Sequence, residues 1–228
     1  MQQRSGRGVR VRDPEDNAAG RAHCVYVVDD DPSIRATLSS LFRSVDLRVE
    51  LFESAAAFLG HDRDDSRGCL VLDIRLPGVN GLEFQEQLHS AGIRIPVVFM
   101  TGHGDVPMSV RAMKAGAVDF LAKPFRDQDM LDAVNAALQR DEQSRESEKI
   151  SRALRESFAR LTQRERRVME LVTSGLMNKQ VAGRLGLREV TVKVHRGNMM
   201  RKMNARSLAE LVRMSEVLGL RSDRRPPS

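Results

Sequence analysis

The sequence predicts an α/β fold, a doubly wound five-stranded parallel sheet, with a second, all-α domain of four helices built around a helix-turn-helix. Three observations lead there. Through residues 23–140, short β-rich apolar runs alternate with helical patterns, as expected of strands buried on both faces by crossover helices. Beyond residue 158 the strand-like runs cease and helix start and stop signals follow one another closely. Charge divides at the same place. Lys and Arg number 11 against 14 Asp and Glu over residues 23–126, but 16 against 6 over residues 158–228, within a net charge of +6.

Residues 1–22 form a polar, Arg- and Gly-containing basic tail and residues 222–228 a second tail, both expected to be disordered. Cys24–Val28 is the first strand. Asp31 before Pro32 is a helix start, an N-cap followed by proline at the first helical position, so Pro32–Arg43 is the first helix. Leu47–Phe52, Leu70–Leu72, Pro96–Met100 and Phe120–Ala122 supply the other strands. Ala55–Leu59, Leu82–Ser90, Val106–Ala115 and Asp127–Arg140 supply the other helices. The last of these runs into 141–157, a charged stretch without Gly or Pro, which reads as a helical linker. Ile150, Leu154 and Phe158 are too few apolar residues for a sustained heptad seam. Cys24 and Cys69 each enter an apolar run and read as reduced, buried thiols without a metal or redox role. No apolar stretch approaches the roughly 20 residues that span a bilayer, and no signal segment is evident. A cytoplasmic protein with no membrane partner is expected.

In a doubly wound sheet the binding crevice lies beyond the carboxyl ends of the strands. Asp29 and Asp30 end the first strand, Asp73 the third and Thr101 the fourth, while Lys123 follows the fifth, so these groups converge in space. Carboxylates that close repel one another unless a cation neutralises them. Mg²⁺, a hard ion that accepts one or two protein carboxylates, waters and a phosphoryl oxygen, suits the place. Asp73 can attack phosphorus to give an acyl phosphate, with Lys123 offsetting the transferred charge. Thr101 can donate to the phosphoryl oxygens and draw in the Gly102-His103-Gly104 loop, and Phe120 can fill the vacated space. His103 itself reads as a solvated loop residue, and Asp31 as a cap.

Joined in chain order, Val28-Asp29-Asp30-Asp31, Val71-Leu72-Asp73, Thr101-Gly102, Phe120 and Lys123-Pro124 resemble response-regulator receiver domains over residues 23–140. The resemblance implies phosphorylation of Asp73 by a cognate sensor histidine kinase. It also implies that Asp29 and Asp30 are the acidic pair, with Asp30 a direct Mg²⁺ ligand and the Arg75 backbone carbonyl another. Thr101 and Phe120 become the switch pair, and the Lys123–Pro124 bond is expected to be cis. The runs 101–108 and 115–125 are similar to the NarL/FixJ family, above all its nitrogen-fixation-regulator branch. There phosphorylation dimerises the receiver through its fourth helix and fifth strand, where Val110, Lys114 and Asp119 stand here.

In residues 158–221, Thr162-x-x-Glu165 is a capping box that opens a helix ending near Gly175. Asn178 is expected to cap a second helix, Lys179–Leu185, stopped at Gly186. Val190–Met203 forms a third, and Ser207 caps a fourth, Leu208–Leu218. On the third helix Val192, His195, Met199 and Met203 fall on one face and are expected in the core. Lys193, Gly197 and Arg201 line the other, with Val194 and Arg196 alongside. Lys and Arg can take phosphates or guanine edges, and Val194 a thymine methyl.

Leu161-Thr-Gln-Arg-Glu165, Gly175-Leu-Met-Asn-Lys-Gln-Val-Ala182 and Thr191-Val-Lys-Val-His-Arg-Gly-Asn198 resemble the LuxR-type DNA-binding domain. That family implies Lys193, Val194 and Gly197 at base-facing positions, and Lys179 and Thr191 at backbone-contacting ones. Arg188 departs from the serine that usually caps the recognition helix, and Gly197 brings no side chain to a base. The expected protein is a phosphorylation-dependent transcriptional regulator and not an enzyme. Its partners are a histidine kinase, a double-stranded operator with two half-sites, a second copy of itself when phosphorylated, and RNA polymerase. An RNA-binding output and a phosphotransfer sink are the alternatives. The first lacks the helix-turn-helix spacing of 178–203, and the second leaves the basic domain without use.

Overall fold

The computed structural model describes residues 23–61, 67–102 and 106–220. Residues 1–22 and 222–228, expected to be disordered, lie outside them, as do His103 and Gly104 of the glycine loop. The chain divides into two compact units between Gln143 and Ser144.

In the first unit, strands β1 (Cys24–Val28), β2 (Arg48–Phe52), β3 (Gly68–Asp73), β6 (Val97–Thr101) and β7 (Asp119–Ala122) form one parallel sheet in the order β2-β1-β3-β6-β7. Helices α1 (Pro32–Arg43), α2 (Ala55–Leu59), α3 (Gly81–Ser90), α4 (Val106–Lys114) and the first part of α5 (Asp127–Ala159), which runs on into the second unit, complete the alternation. Every residue of β1, β3 and β6 is buried, which is why they read as unbroken apolar runs rather than alternating ones. Leu38 and Phe42 of α1 pack with Met130, Val134 and Leu138 of α5 on one face, and Phe58, Phe84 and Leu88 of α2 and α3 pack on the other. Truncating one of these wholly buried phenylalanines to alanine costs about 3–5 kcal/mol. The thiols of Cys24 and Cys69 are free and buried, and burial pushes that of Cys24 up to about 12.

The order places a topological switch between β1 and β3, and the register fixes what meets there. Val28 pairs with Leu72, so Asp29 and Asp73 leave adjacent strands side by side. Asp73 pairs with Met100 and Thr101 with Ala122, which brings Thr101 and Lys123 to the same edge. One feature departs from expectation. A two-stranded antiparallel hairpin, β4 (Arg75–Leu76) and β5 (Val79–Asn80), lies between β3 and α3 and turns at Gly78, whose φ is 81°.

The second unit holds α6 (Gln163–Thr173), α7 (Asn178–Leu185), α8 (Glu189–Met203) and α9 (Leu208–Val217). Val168, Val172, Val181 and Val192 make one buried cluster, and Met169, Met199, Met203 and Leu211 another, against which Leu154 and Phe158 of α5 also pack. Of the four residues expected on the inner face of α8, Val192, Met199 and Met203 are buried, whereas His195 is half-buried. The cap of α7 differs from expectation. Met177 is the N-cap residue, and its N–H donates to Gln180 Oε1 at 2.8 Å, while Asn178 Oδ1 is taken by Arg196.

The capping box of α6 is complete and extends into the core. Glu165 Oε2 accepts from Thr162 N at 2.8 Å and from Lys202 Nζ at 2.7 Å, tying α6 to α8. Burial opposes the charge of Glu165, but Lys202 and Thr162 together hold its carboxyl below the usual value. The stability it confers is therefore fully present above the unfolded value of about 4.3 and is lost as pH falls through the lowered folded one. Glu165→Gln is expected to cost about 2 kcal/mol at pH 7, because it weakens a cap and removes a buried counter-charge. Thermal melts of the full chain between pH 7 and 3 check this. The wild-type advantage should shrink towards acid, and a constant gap would contradict it.

Candidate functional site

At the carboxyl edge of the sheet, Asp29, Asp30 and Asp73 each offer a carboxylate oxygen, and the three lie within 4.8 Å of one another. Asp29 and Asp73 are buried and Asp30 is exposed. Lys123 Nζ stands 2.7 Å from Asp29 Oδ2 and 2.7 Å from Asp73 Oδ2, so a single ammonium bridges two carboxylates. Burial disfavours the charged form of Asp29 and pushes its carboxyl up, with Lys123 pulling the other way. Burial also disfavours the charge on Lys123, but its bonds to both aspartates outweigh that and hold its proton more tightly than usual.

The backbone fixes each group. Lys123 N donates to Thr101 O at 2.7 Å, and the Lys123–Pro124 bond is cis. Arg75 N donates to Asp73 Oδ1 at 2.9 Å, orienting the carboxylate from the residue whose carbonyl is the expected metal ligand. Thr101 is buried, and Phe120 is half-buried against the core. Gly81 is required where it stands, because a Cβ there would lie 2.7 Å from Asp73 O and 2.8 Å from Ile74 Cα. On α4 and β7, Val110 and Lys114 are exposed and Asp119 is half-buried.

Sequence reasoning missed Arg35. Its Nη1 donates to Asp29 O at 2.7 Å and to Asp30 O at 2.9 Å. With Asp31 N donating to Asp29 Oδ1 at 2.8 Å and Ser33 N to Asp31 Oδ1 at 2.8 Å, the β1–α1 turn is determined from both sides. A long side chain reaching back to two carbonyls leaves no spacing signal in a sequence. Three hard oxygen donors beside an open edge fit Mg²⁺, and the buried Asp29–Asp73 pair has an excess of negative charge for it to offset. Arg35→Gln is expected to weaken Mg²⁺ binding about fivefold, since the acidic turn would have to be ordered on binding. Calorimetric Mg²⁺ titration of the phosphate-free protein reads this directly, and an unchanged affinity would contradict it.

On α8, Lys193, Val194, Gly197 and Arg201 are exposed, Thr191 and Arg196 are half-buried, and Lys179 on α7 is exposed. Lys193 Nζ lies 3.5 Å from Glu189 Oε1, Arg196 Nη1 donates to Asn178 Oδ1 at 3.0 Å, and Arg201 Nη2 donates to Asn198 Oδ1 at 2.9 Å. Arg188 precedes α8 without a side-chain cap bond. Its carbonyl instead accepts from Thr191 N and Val192 N.

An acid-lined crevice bridged by a lysine, followed in the chain by a helix-turn-helix with a basic outer face, defines a receiver with a DNA-binding output. Residues 25–135 match the response regulator receiver domain, and residues 159–215 match the bacterial regulatory proteins of the luxR family. The chain belongs to the NarL/FixJ-type response regulators. Nodulation protein W of Bradyrhizobium diazoefficiens is 57% identical over 196 residues, 86% of each chain. Transcriptional regulatory protein FixJ of Azorhizobium caulinodans is 46% identical over 86% of this chain and 93% of its own. Among solved structures, the response regulator StyR superposes with a TM-score of 0.74 at 52% identity, covering 86% of this chain and 98% of its own. Full-length FixJ from B. japonicum superposes with a TM-score of 0.52 at 40% identity, covering 90% and 100%. The protein is thus a two-component response regulator that controls transcription in a phosphorylation-dependent way, in a family of DNA-binding regulators rather than a recognised enzyme class. Among the described residues no helix is long and apolar enough to cross a membrane.

Proposed function

We propose that Asp73 is the phosphoacceptor, receiving its phosphoryl group from a sensor histidine kinase in the cytoplasm. The bridging of Asp29 and Asp73 by Lys123 carries this reading, because it places a nucleophilic carboxylate and an ammonium on the same spot. A carboxylate oxygen of Asp73 forms the new bond to phosphorus as the bond to the kinase histidine nitrogen breaks, and the imidazole leaves. Asp29, Asp30, Asp73 and the Arg75 carbonyl would hold Mg²⁺, which when bound neutralises charge on the phosphoryl oxygens. Lys123 can then pair with the phosphoryl group, and Thr101 can donate to it, which biases the loop after β6.

The phosphorylated receiver dimerises through Val110, Lys114 and Asp119, and pairs two α8 helices with the two half-sites of an operator. Linking two weak half-site contacts raises affinity without any change in a DNA contact. Lys193, Val194, Arg196, Gly197 and Arg201 of α8 face the major groove, Lys179 and Thr191 meet phosphates, and transcriptional control brings in RNA polymerase. Analytical ultracentrifugation tests the dimer step. A small-molecule phosphodonor with Mg²⁺ should convert monomer to dimer, and unchanged sedimentation would refute it. Lys193→Ala should lower duplex affinity and flatten its salt dependence by about one unit if the ammonium meets a phosphate. An unchanged slope would place Lys193 on a base edge or off the DNA.

A further inference from the structure

Among the described residues, the three most exposed large apolar side chains are Met177 at 69%, Val190 at 62% and Val194 at 58%, and all three belong to the helix-turn-helix. Val190 and Val194 stand four residues apart on α8, so they are neighbours on one face, while Val192 is wholly buried on the other. Gly197 continues the same face. A Cβ at Gly197 would meet nothing within 4 Å, so packing does not require the glycine, although glycine weakens a helix interior. Among its basic side chains, the outer face of α8 therefore carries a low apolar ridge with a bare end. The polar side chains around it already have partners: Lys193 faces Glu189, Arg196 bonds Asn178, and Arg201 bonds Asn198.

We propose that Val190 and Val194 together read the methyl groups of two thymines in each operator half-site, one or two base-pair steps apart. The inference rests on the major-groove placement of α8 proposed above and goes further, naming Val190 as a specificity-determining residue. The thymine C5-methyl is the apolar feature that base edges present in the major groove. Four helical residues rise about 6 Å, against about 3.4 Å per stacked base pair, which sets the spacing of the two methyls. DNA, rather than an apolar protein surface, is the fitting occupant because residues 158–228 carry 16 Lys and Arg against 6 Asp and Glu.

The test uses the full-length protein and duplexes it selects from a random-sequence pool. Each thymine of a selected half-site is replaced singly by deoxyuridine, which pairs identically but lacks the methyl. At two thymines no more than two steps apart, wild-type affinity should fall about fourfold per methyl removed. Val190→Ala should abolish the sensitivity at one of them and Val194→Ala at the other. Alanine has the higher helix propensity, so an unchanged melting temperature is expected and unfolding cannot imitate the result. Indifference to deoxyuridine at every position, or a Val190→Ala variant that stays sensitive at both thymines, overturns the proposal and leaves DNA binding by α8 standing. Failure to recover any duplex overturns both.

Discussion

Asp73→Asn is expected to abolish phosphorylation, by kinase or by small-molecule donor, and with it every phosphorylation-driven rise in dimerisation and operator affinity. The amide keeps the size of the side chain and an acceptor for the Arg75 N–H, so the turn after β3 should survive. It loses the anionic nucleophile, and Lys123 retains only Asp29 of its two carboxylate partners. Basal duplex binding should persist, because the substitution changes no residue of α8, which belongs to the other unit of the chain. Phosphate-affinity electrophoresis and sedimentation with and without donor check the two halves. Normal activation of the variant would refute the assignment of Asp73.

Lys123→Ala should have the larger effect on stability. Asp29 is fully buried and Asp73 nearly so, and their shared cation would be gone. Breaking one side of a buried ion pair costs about 3–5 kcal/mol, and here two like charges are left facing each other. In a domain of this size that corresponds to a fall of roughly 15 °C in melting temperature. The fall should be greatest in EDTA and partly recovered by Mg²⁺, since a divalent ion offsets the same excess charge. Transfer to Asp73 should slow strongly in the same variant, because the ammonium no longer meets the phosphoryl group. An unchanged melting temperature in EDTA would mean that the bridging geometry holds nothing together.

Much of this is legible in the sequence. Helices α1 and α2 coincide with the expected spans; Asp31–Pro32 marks the start of α1 in the sequence, and the structure shows Ser54 capping α2. Strands β1, β3 and β6 are legible because burial on both faces leaves no polar residue in them until the functional one arrives. The joining of Asp29, Asp73 and Lys123 follows from strand-end chemistry in a parallel sheet, which converts sequence order into spatial proximity. What escaped was short or indirect. The β4–β5 hairpin has two residues per strand, too few to show a period. Arg35 acts through backbone carbonyls that every residue possesses, so its partners leave no mark in the sequence. Asn178 has the chemistry of a cap, yet Arg196 on α8 claims its oxygen, a competition that only tertiary packing decides.

The most direct measurement is the location of the phosphoryl group itself. The full-length protein, treated with phosphodonor and Mg²⁺ and then reduced with borohydride, converts an aspartyl phosphate to homoserine, which peptide mass spectrometry can place. Homoserine at position 73 alone is the predicted result. A phosphoryl group recovered on another residue, or none at all from protein that still becomes active with donor, would contradict the account.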